Sequence, residues 1–356
     1  MNKPERAVLV TVSLHKDPID PYDIAELEAL TKTAGANSVG DITQSRDKPD
    51  VKYYIGEGKA EELKALCAAT NADVVIFNND LSPSQIRNLQ SQLGLKVIDR
   101  TGLILDIFAQ HAHTREGKLQ VELAQANYAL THLTGKGIEL SRLGGGIGTR
   151  GPGETKLETD RRRIREKVSQ LKKELEDVRK HRGIRREKRQ QSRVSVAAIV
   201  GYTNAGKSTL LNALTGAGVT AEDKLFATLD PVTRKLRLPN NKEMLLTDTV
   251  GFIQNLPHGL VEAFQATLEE TTQADLLIHI VDISHPNFIG QMNTTYKVLE
   301  DLSAITKPIL TVFNKIDRYM GDPSVLLKKY QPAVTISALK GEGIKQLIEN
   351  IQALSS

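Results

Sequence analysis

Apolar and polar positions change rhythm twice along this chain of 356 residues. From residue 1 to about 113, short apolar runs at 7–14, 52–55, 74–77 and 96–98 alternate with amphipathic stretches at 20–33, 57–69, 82–93 and 102–111. Strands separated by helices pair in parallel, so this region predicts a small parallel α/β domain. Ser82 followed by Pro83 is a helix-start signal, a cap residue with proline in the first turn.

The rhythm then lengthens. Leu119, Leu123, Ala126, Leu130 and Leu133 recur at steps of four and three, as do Ile164, Val168, Leu171, Leu175 and Val178. These are seams of two helices that pack on each other. The glycine-rich run at 143–153 lies between them, and it predicts an antiparallel coiled-coil hairpin with a non-helical tip. After residue 194 the pattern returns to strands and helices. The expected organisation is an N-terminal α/β domain at 1–113, a helical hairpin at 114–193 and a second α/β domain at 194–356.

Charge sharpens this division. The formal net charge of +4 resolves into −4 over residues 1–113, +10 over 114–193 and −2 over 194–356. A basic run is often only a solvated helix face. Concentrated on one hairpin of an otherwise acidic chain, it favours a polyanionic partner. Cys67 is the single cysteine, so neither an internal disulfide nor a cysteine-rich zinc site can form, and a cytoplasmic setting is expected. No apolar run reaches the roughly 18 residues of a membrane span, and the polar start at residues 1–6 does not resemble a secretory signal. No seam is left over for self-association, so a monomer is expected.

Chemistry enters in the third region. An apolar strand at 194–200 leads into Gly201-Tyr202-Thr203-Asn204-Ala205-Gly206-Lys207-Ser208, followed by a helix that opens with Thr209. This is G-x-x-x-x-G-K-[ST] between a strand and a helix, as a phosphate-binding loop requires. Backbone N–H groups would close on the phosphates, Lys207 would neutralise their outer oxygens, and Ser208 would ligate Mg²⁺. The strand at 245–247 ends in Asp248-Thr249-Val250-Gly251, where Asp248 would hold Mg²⁺ through water and the Gly251 N–H would sense the γ-phosphate. Phe226-Ala227-Thr228-Leu229-Asp230 lies where a mobile loop can bring a threonine to the metal. Thr228 is the first choice for that ligand and Thr233 the second.

The strand at 308–313 delivers Asn314-Lys315-Ile316-Asp317. The Asp317 carboxylate can accept from N1 and N2 of guanine, a pair that adenine cannot supply. Ser337-Ala338-Leu339 follows another strand, and the Ala338 N–H is positioned to read guanine O6. Five motifs in this order resemble the translation-factor-related P-loop GTPases and imply conversion of GTP to GDP and phosphate. The catalytic roles fall on Lys207, Thr228, Gly251 and Asn204. Phe252 stands where many switch GTPases carry a catalytic glutamine, which implies slow intrinsic hydrolysis that waits for a partner. Asn204 has two readings, a ligand for K⁺ beside the phosphates or a side chain that stabilises the loop.

The run from Gly144 to Arg162 resembles the signature of HflX-type GTPases, as do Asp99 to Phe108 and Phe226 to Arg234. The resemblance covers nearly the whole chain. It implies binding to the large ribosomal subunit, with the hairpin tip reaching ribosomal RNA near the peptidyl-transferase centre, and GTP-dependent dissociation of stalled ribosomes. Arg142, Gly144, Gly145, Gly146, Gly148, Arg150, Gly151, Gly153, Lys156, Arg161 and Arg162 are the residues whose backbone or charge suits RNA phosphate. Longer members carry an extra C-terminal domain, whereas about fifteen residues follow Leu339 here, so functions housed in that extension are not expected.

Two decoys are set aside. Gly146 to Gly151 fits G-x-G-x-x-G but follows a helix rather than a strand, so no dinucleotide role is assigned. His111 and His113 have no cysteine or carboxylate partners nearby in sequence and read as a helix end rather than a metal site. The alternatives to a ribosome-dissociating switch are a ribosome-assembly or RNA-remodelling GTPase and a non-ribosomal signalling GTPase.

Overall fold

The computed structural model describes residues 3–15, 20–133, 152–191, 194–216, 218, 224–254 and 268–355. The chain packs as two units, one of residues 1–110 with 119–175, the other of residues 111–118 with 176–356.

The first unit is built on a parallel four-stranded sheet ordered β2-β1-β3-β4: β1 (Glu5–Leu14), β2 (Ala36–Arg46), β3 (Val74–Phe77) and β4 (Lys96–Ile98). Helices α1 (Pro21–Thr33), α2 (Glu57–Thr70), α3 (Pro83–Leu93) and α4 (Arg100–His111) connect and flank the strands. The expected start of α3 is realised as a reciprocal cap. The Gln85 N–H donates to Ser82 Oγ, and the Ser82 N–H donates to Gln85 Oε1. One expected strand is corrected. Residues 52–55 form a turn pinned by an Asp50–Tyr54 bridge, and the sheet's second strand is Ala36–Arg46. Tyr53, Tyr54 and Ile55 are buried as loop anchors, whereas β2 is a polar edge strand in which only Ala36 and Ile42 are buried. An edge strand meets the core at few positions, so its apolar alternation is faint.

Two long helices follow, α5 (Arg115–Leu133) and α6 (Pro152–Gln191). Helix α6 begins inside the stretch expected to be irregular, with Pro152 in its first turn, where a missing N–H costs nothing. Leu119, Leu123, Ala126, Leu171 and Leu175 are buried, and Lys167 pairs with Glu122 at 2.7 Å. Asp99 ties α5 to the sheet edge. Its carboxylate accepts from the Gly102 N–H at 2.8 Å and from the Tyr128 hydroxyl at 2.8 Å.

The second unit holds a six-stranded sheet ordered β10-β9-β8-β5-β7-β6, parallel except for β6 against β7. Its strands are β5 (Ser195–Gly201), β6 (Val232–Arg237), β7 (Glu243–Asp248), β8 (Leu276–Asp282), β9 (Ile309–Asn314) and β10 (Ala333–Thr335). Helices α7 (Lys207–Thr215), α8 (Phe288–Asp301), α9 (Pro323–Lys329) and α10 (Ile344–Leu354) complete it. Strands β5, β8 and β9 read as continuous apolar runs because both sheet faces are covered. Their carboxyl ends, where open α/β sheets bind ligands, carry Gly201, Asp282 and Asn314. Among the described residues no helix is long and apolar enough to cross a membrane.

Candidate nucleotide-binding site

The loop from β5 to α7 wraps a cavity lined by Thr203, Asn204, Gly206, Lys207, Ser208 and Thr209 on one side and Ala227, Thr228 and Gly251 on the other. Helix α7 begins at Lys207, so its first N–H groups and positive dipole end face the cavity. Lys207 is buried, and its Nζ donates to the carbonyls of Tyr202 at 2.7 Å and Gly201 at 3.3 Å. Burial outweighs the nearby Asp248 carboxylate and pushes the Lys207 ammonium down to about 8. That is a cation short of counter-charge, as a polyphosphate pocket needs. Gly251 closes against this lysine. A Cβ there would lie 2.8 Å from Lys207 Nζ and 2.8 Å from Thr203 Cα, so only glycine lets the loop approach.

Three oxygens converge beside the lysine. Thr228 Oγ1 lies 2.8 Å from Ser208 Oγ and 3.1 Å from Asp248 Oδ2, and Ser208 Oγ donates to Asp248 Oδ2 at 2.7 Å. Thr228 is thus brought to the serine and aspartate. Thr233, the second choice, pairs with Thr247 at 2.9 Å within the sheet. Asp248 is fully buried, its Oδ1 has no hydrogen-bond partner, and burial raises its carboxyl above the usual carboxylate range. A hard cation held through water would satisfy that orphaned oxygen and return the group to its ionised form. The donor set therefore fits Mg²⁺.

Asn314 organises the base end of the site. Its Nδ2 donates to the Ala205 carbonyl at 2.8 Å, and its Oδ1 accepts from the Ala338 N–H at 3.0 Å. The Ala338 N–H, expected to read guanine O6, ties the 337–339 turn to Asn314 in this structure. Lys315 takes a left-handed backbone conformation, and its Nζ pairs with Asp282 at 2.6 Å and donates to the Asn204 carbonyl at 3.1 Å. Asp317 lies 3.8 Å from Lys340 Nζ. A hydrogen bond with Ser337, helped by the charge of Lys340, holds its carboxyl below the usual range, ionised and ready to accept.

Several sequence-selected residues have side chains that pack in the scaffold around the cavity. Phe252 is buried in the core with Val200 and Leu268, and its backbone pairs with Gly201 and Thr203. Its side chain packs in that core, and Phe252 does not line the cavity. Thr249 donates to the Ile199 carbonyl from a fully buried position, Leu229 is buried, and Ile316 packs on the core beneath β9. Val250 and Ala205 are likewise buried, and Tyr202 Oη accepts from the Gln254 N–H. Asp230 turns to residues 113 and 114 rather than to the cavity. Lys224 and Phe226 line the pocket. Lys224 had no motif to betray it; its signal was a position four residues before Thr228.

Of the residues suited to RNA, Arg142, Gly144, Gly145, Gly146, Gly148, Arg150 and Gly151 lie outside the described residues. Gly153 and Lys156 are in the first turns of α6, Arg161 follows, and Arg162 is exposed 3.9 Å from Glu166. His111 is the last residue of α4.

Comparison with known proteins agrees with this geometry. Residues 22–109, 111–189 and 196–315 match, in turn, families described as GTP-binding GTPase N-terminal, GTP-binding GTPase Middle Region and 50S ribosome-binding GTPase. The chain is 52% identical to GTPase HflX of Caldanaerobacter subterraneus subsp. tengcongensis over 98% of its own length and 80% of the relative's. It is 47% identical to GTPase HflX of Escherichia coli over 97% of this chain and 82% of that one. A GTP-binding protein from Sulfolobus solfataricus, solved in complex with GDP, is 27% identical and superposes with a TM-score of 0.51 over 98% of both chains. A guanine-nucleotide site assembled on this fold, with matches in order along the chain, makes the protein a GTPase that belongs to the HflX family.

Proposed function

We propose that this GTPase binds the large ribosomal subunit and, in its GTP state, dissociates stalled or stressed ribosomes. The carrying observation is the +10 charge gathered on residues 114–193, beside a region that matches a 50S ribosome-binding GTPase family. In this reading the chain has three working parts, residues 1–113, 114–193 and 194–356. Helices α5 and α6 form an antiparallel coiled-coil hairpin. Its glycine-rich tip brings backbone N–H groups to ribosomal RNA, with Arg142, Arg150 and Lys156 supplying charge. RNA shape rather than base sequence is read.

Ser208 and Thr228 would hold Mg²⁺ directly and Asp248 through water. The ion would supply positive charge against the phosphate oxygens where charge gathers during transfer. Lys207 screens the same oxygens, the Gly251 N–H senses the γ-phosphate, and Asp317 selects guanine. Asn204 is assigned the K⁺ position, which a comparison of hydrolysis in potassium and sodium tests. The protein acts in the cytoplasm as a monomer.

The deciding experiment is co-sedimentation with isolated large subunits and whole ribosomes, in a GTP analogue and in GDP, with and without residues 141–156. Nucleotide-dependent binding that requires the tip is expected. Binding that survives loss of the tip overturns the RNA-tip reading, and absence of binding in every state favours a signalling role.

A further inference from the structure

Asp230 was selected as part of the nucleotide motif, yet its carboxylate serves another purpose. Oδ2 accepts the N–H groups of His113 at 2.9 Å and Thr114 at 2.8 Å, and Oδ1 accepts the Thr114 hydroxyl. Thr114 Oγ1 in turn accepts from the Gly117 N–H at 3.0 Å, and the Lys118 N–H donates to the Thr114 carbonyl at 3.0 Å. Thr114 is thus the cap of α5, and Asp230 docks on that cap from 116 residues away. Residue 117 has to be glycine for this to happen. A Cβ there would lie 2.3 Å from Asp230 Oδ1, so the carboxylate fills the volume a side chain would take. Residues 111–118 pack with the nucleotide-binding unit, so the clasp lies within one compact body.

Thr228 stands two residues before Asp230, and two residues of extended chain reach only about 7 Å. The intervening Leu229 is buried, and the ladder of β6 to β7 begins at Val232. The segment bearing Thr228 is therefore fixed on one side by the buried Phe226 and on the other by the Asp230 clasp. Release of Asp230 would free the chain between Phe226 and Val232, with Thr228 in the middle.

We propose that Asp230 is a positioning residue for GTP hydrolysis. By clasping Thr114 across the Gly117 gap it sets Thr228 against Ser208 and Asp248. Linkage makes the coupling reciprocal. A γ-phosphate that draws Thr228 inward stabilises the cap of α5, the helix that runs on from this unit into the basic region. The inference rests on the GTPase activity and is independent of whether the target is a ribosome.

The test uses full-length protein and separates hydrolysis from binding. Asp230→Ala and Thr114→Ala are each expected to lower the single-turnover rate at saturating GTP at least tenfold, while GDP affinity changes less than twofold. Thr114→Ser, which keeps the hydroxyl, is expected to restore most of the rate. In the double variant Asp230→Ala/Thr114→Ala the losses should not add, because the Thr114 hydroxyl contact is among those that Asp230→Ala already removes. Gly117→Ala should reproduce the hydrolysis defect by expelling the carboxylate, and urea midpoints for all variants identify any that fail to fold. A parent rate in Asp230→Ala, or independent losses in the double variant, overturns the proposal. So does an equal fall in GDP affinity and rate, which would mark Asp230 as part of the general nucleotide-binding scaffold.

Discussion

Replacing Asn314 with alanine removes the side chain that joins the phosphate-binding loop to the turn at 337–339. Two hydrogen bonds are lost, one to the Ala205 carbonyl at 2.8 Å and one from the Ala338 N–H at 3.0 Å. Asn314, Ala205 and Ala338 are 3%, 1% and 6% exposed, so both stranded groups stay away from solvent. A buried polar group left unpaired costs about 1–3 kcal/mol, which places the two together at about 2–6 kcal/mol. Water entering the gap would bring the loss toward the lower end, about 2–3 kcal/mol. For a unit of this size, a loss of about 2 kcal/mol lowers the melting temperature by roughly 4–8 °C. Calorimetric melting of the nucleotide-free protein reads that number directly. GDP titration then reads the second consequence, a weaker affinity because the two loops no longer share a register. An unchanged melting temperature with unchanged GDP affinity would refute the bridging role.

Three further predictions concern the same site. Phe252→Gln is not expected to create a faster enzyme. It should destabilise the unit by about 3–5 kcal/mol through lost burial, and a stable variant with accelerated GTP turnover would contradict its place in the core. Thr228→Ala should lower GTP hydrolysis at least tenfold with little change in GDP binding, whereas Thr233→Ala, which loses only a contact within the sheet, should hydrolyse GTP at near the parent rate; equal defects would place both threonines in the site. Lys207 has an ammonium pushed down to about 8 in the nucleotide-free protein, and phosphate favours its charged form. Binding therefore takes up a proton as the pH rises through that value, so GDP affinity should be flat below about pH 7 and fall roughly eightfold between pH 7.5 and 9; a flat profile over that range would show that Lys207 stays charged without nucleotide.

Some of this protein was legible before any coordinate. Consecutive motifs such as Gly201 to Ser208 and Asn314 to Asp317 are readable because their chemistry is local: a turn, a helix start and two or three side chains contributed by neighbouring residues. Strands β5, β8 and β9 were legible for a related reason, since burial on both faces writes a continuous apolar run. Strand β2 was not, because an edge strand with two buried positions leaves no strong period, and the buried Tyr53, Tyr54 and Ile55 offered a more apolar substitute. Tertiary structure alone separates Thr228 from Thr233, since it decides which hydroxyl meets Asp248 and which meets Thr247 across the sheet. It alone put Phe252 in the core and committed the Ala338 N–H to Asn314. The Asp230 clasp is the clearest case. Its partners at 113, 114 and 117 lie more than a hundred positions away, and a hydrogen bond between distant segments imposes no periodicity on either one. Residue types announce which chemistry a chain can perform, but which groups meet is settled by packing between elements far apart in sequence.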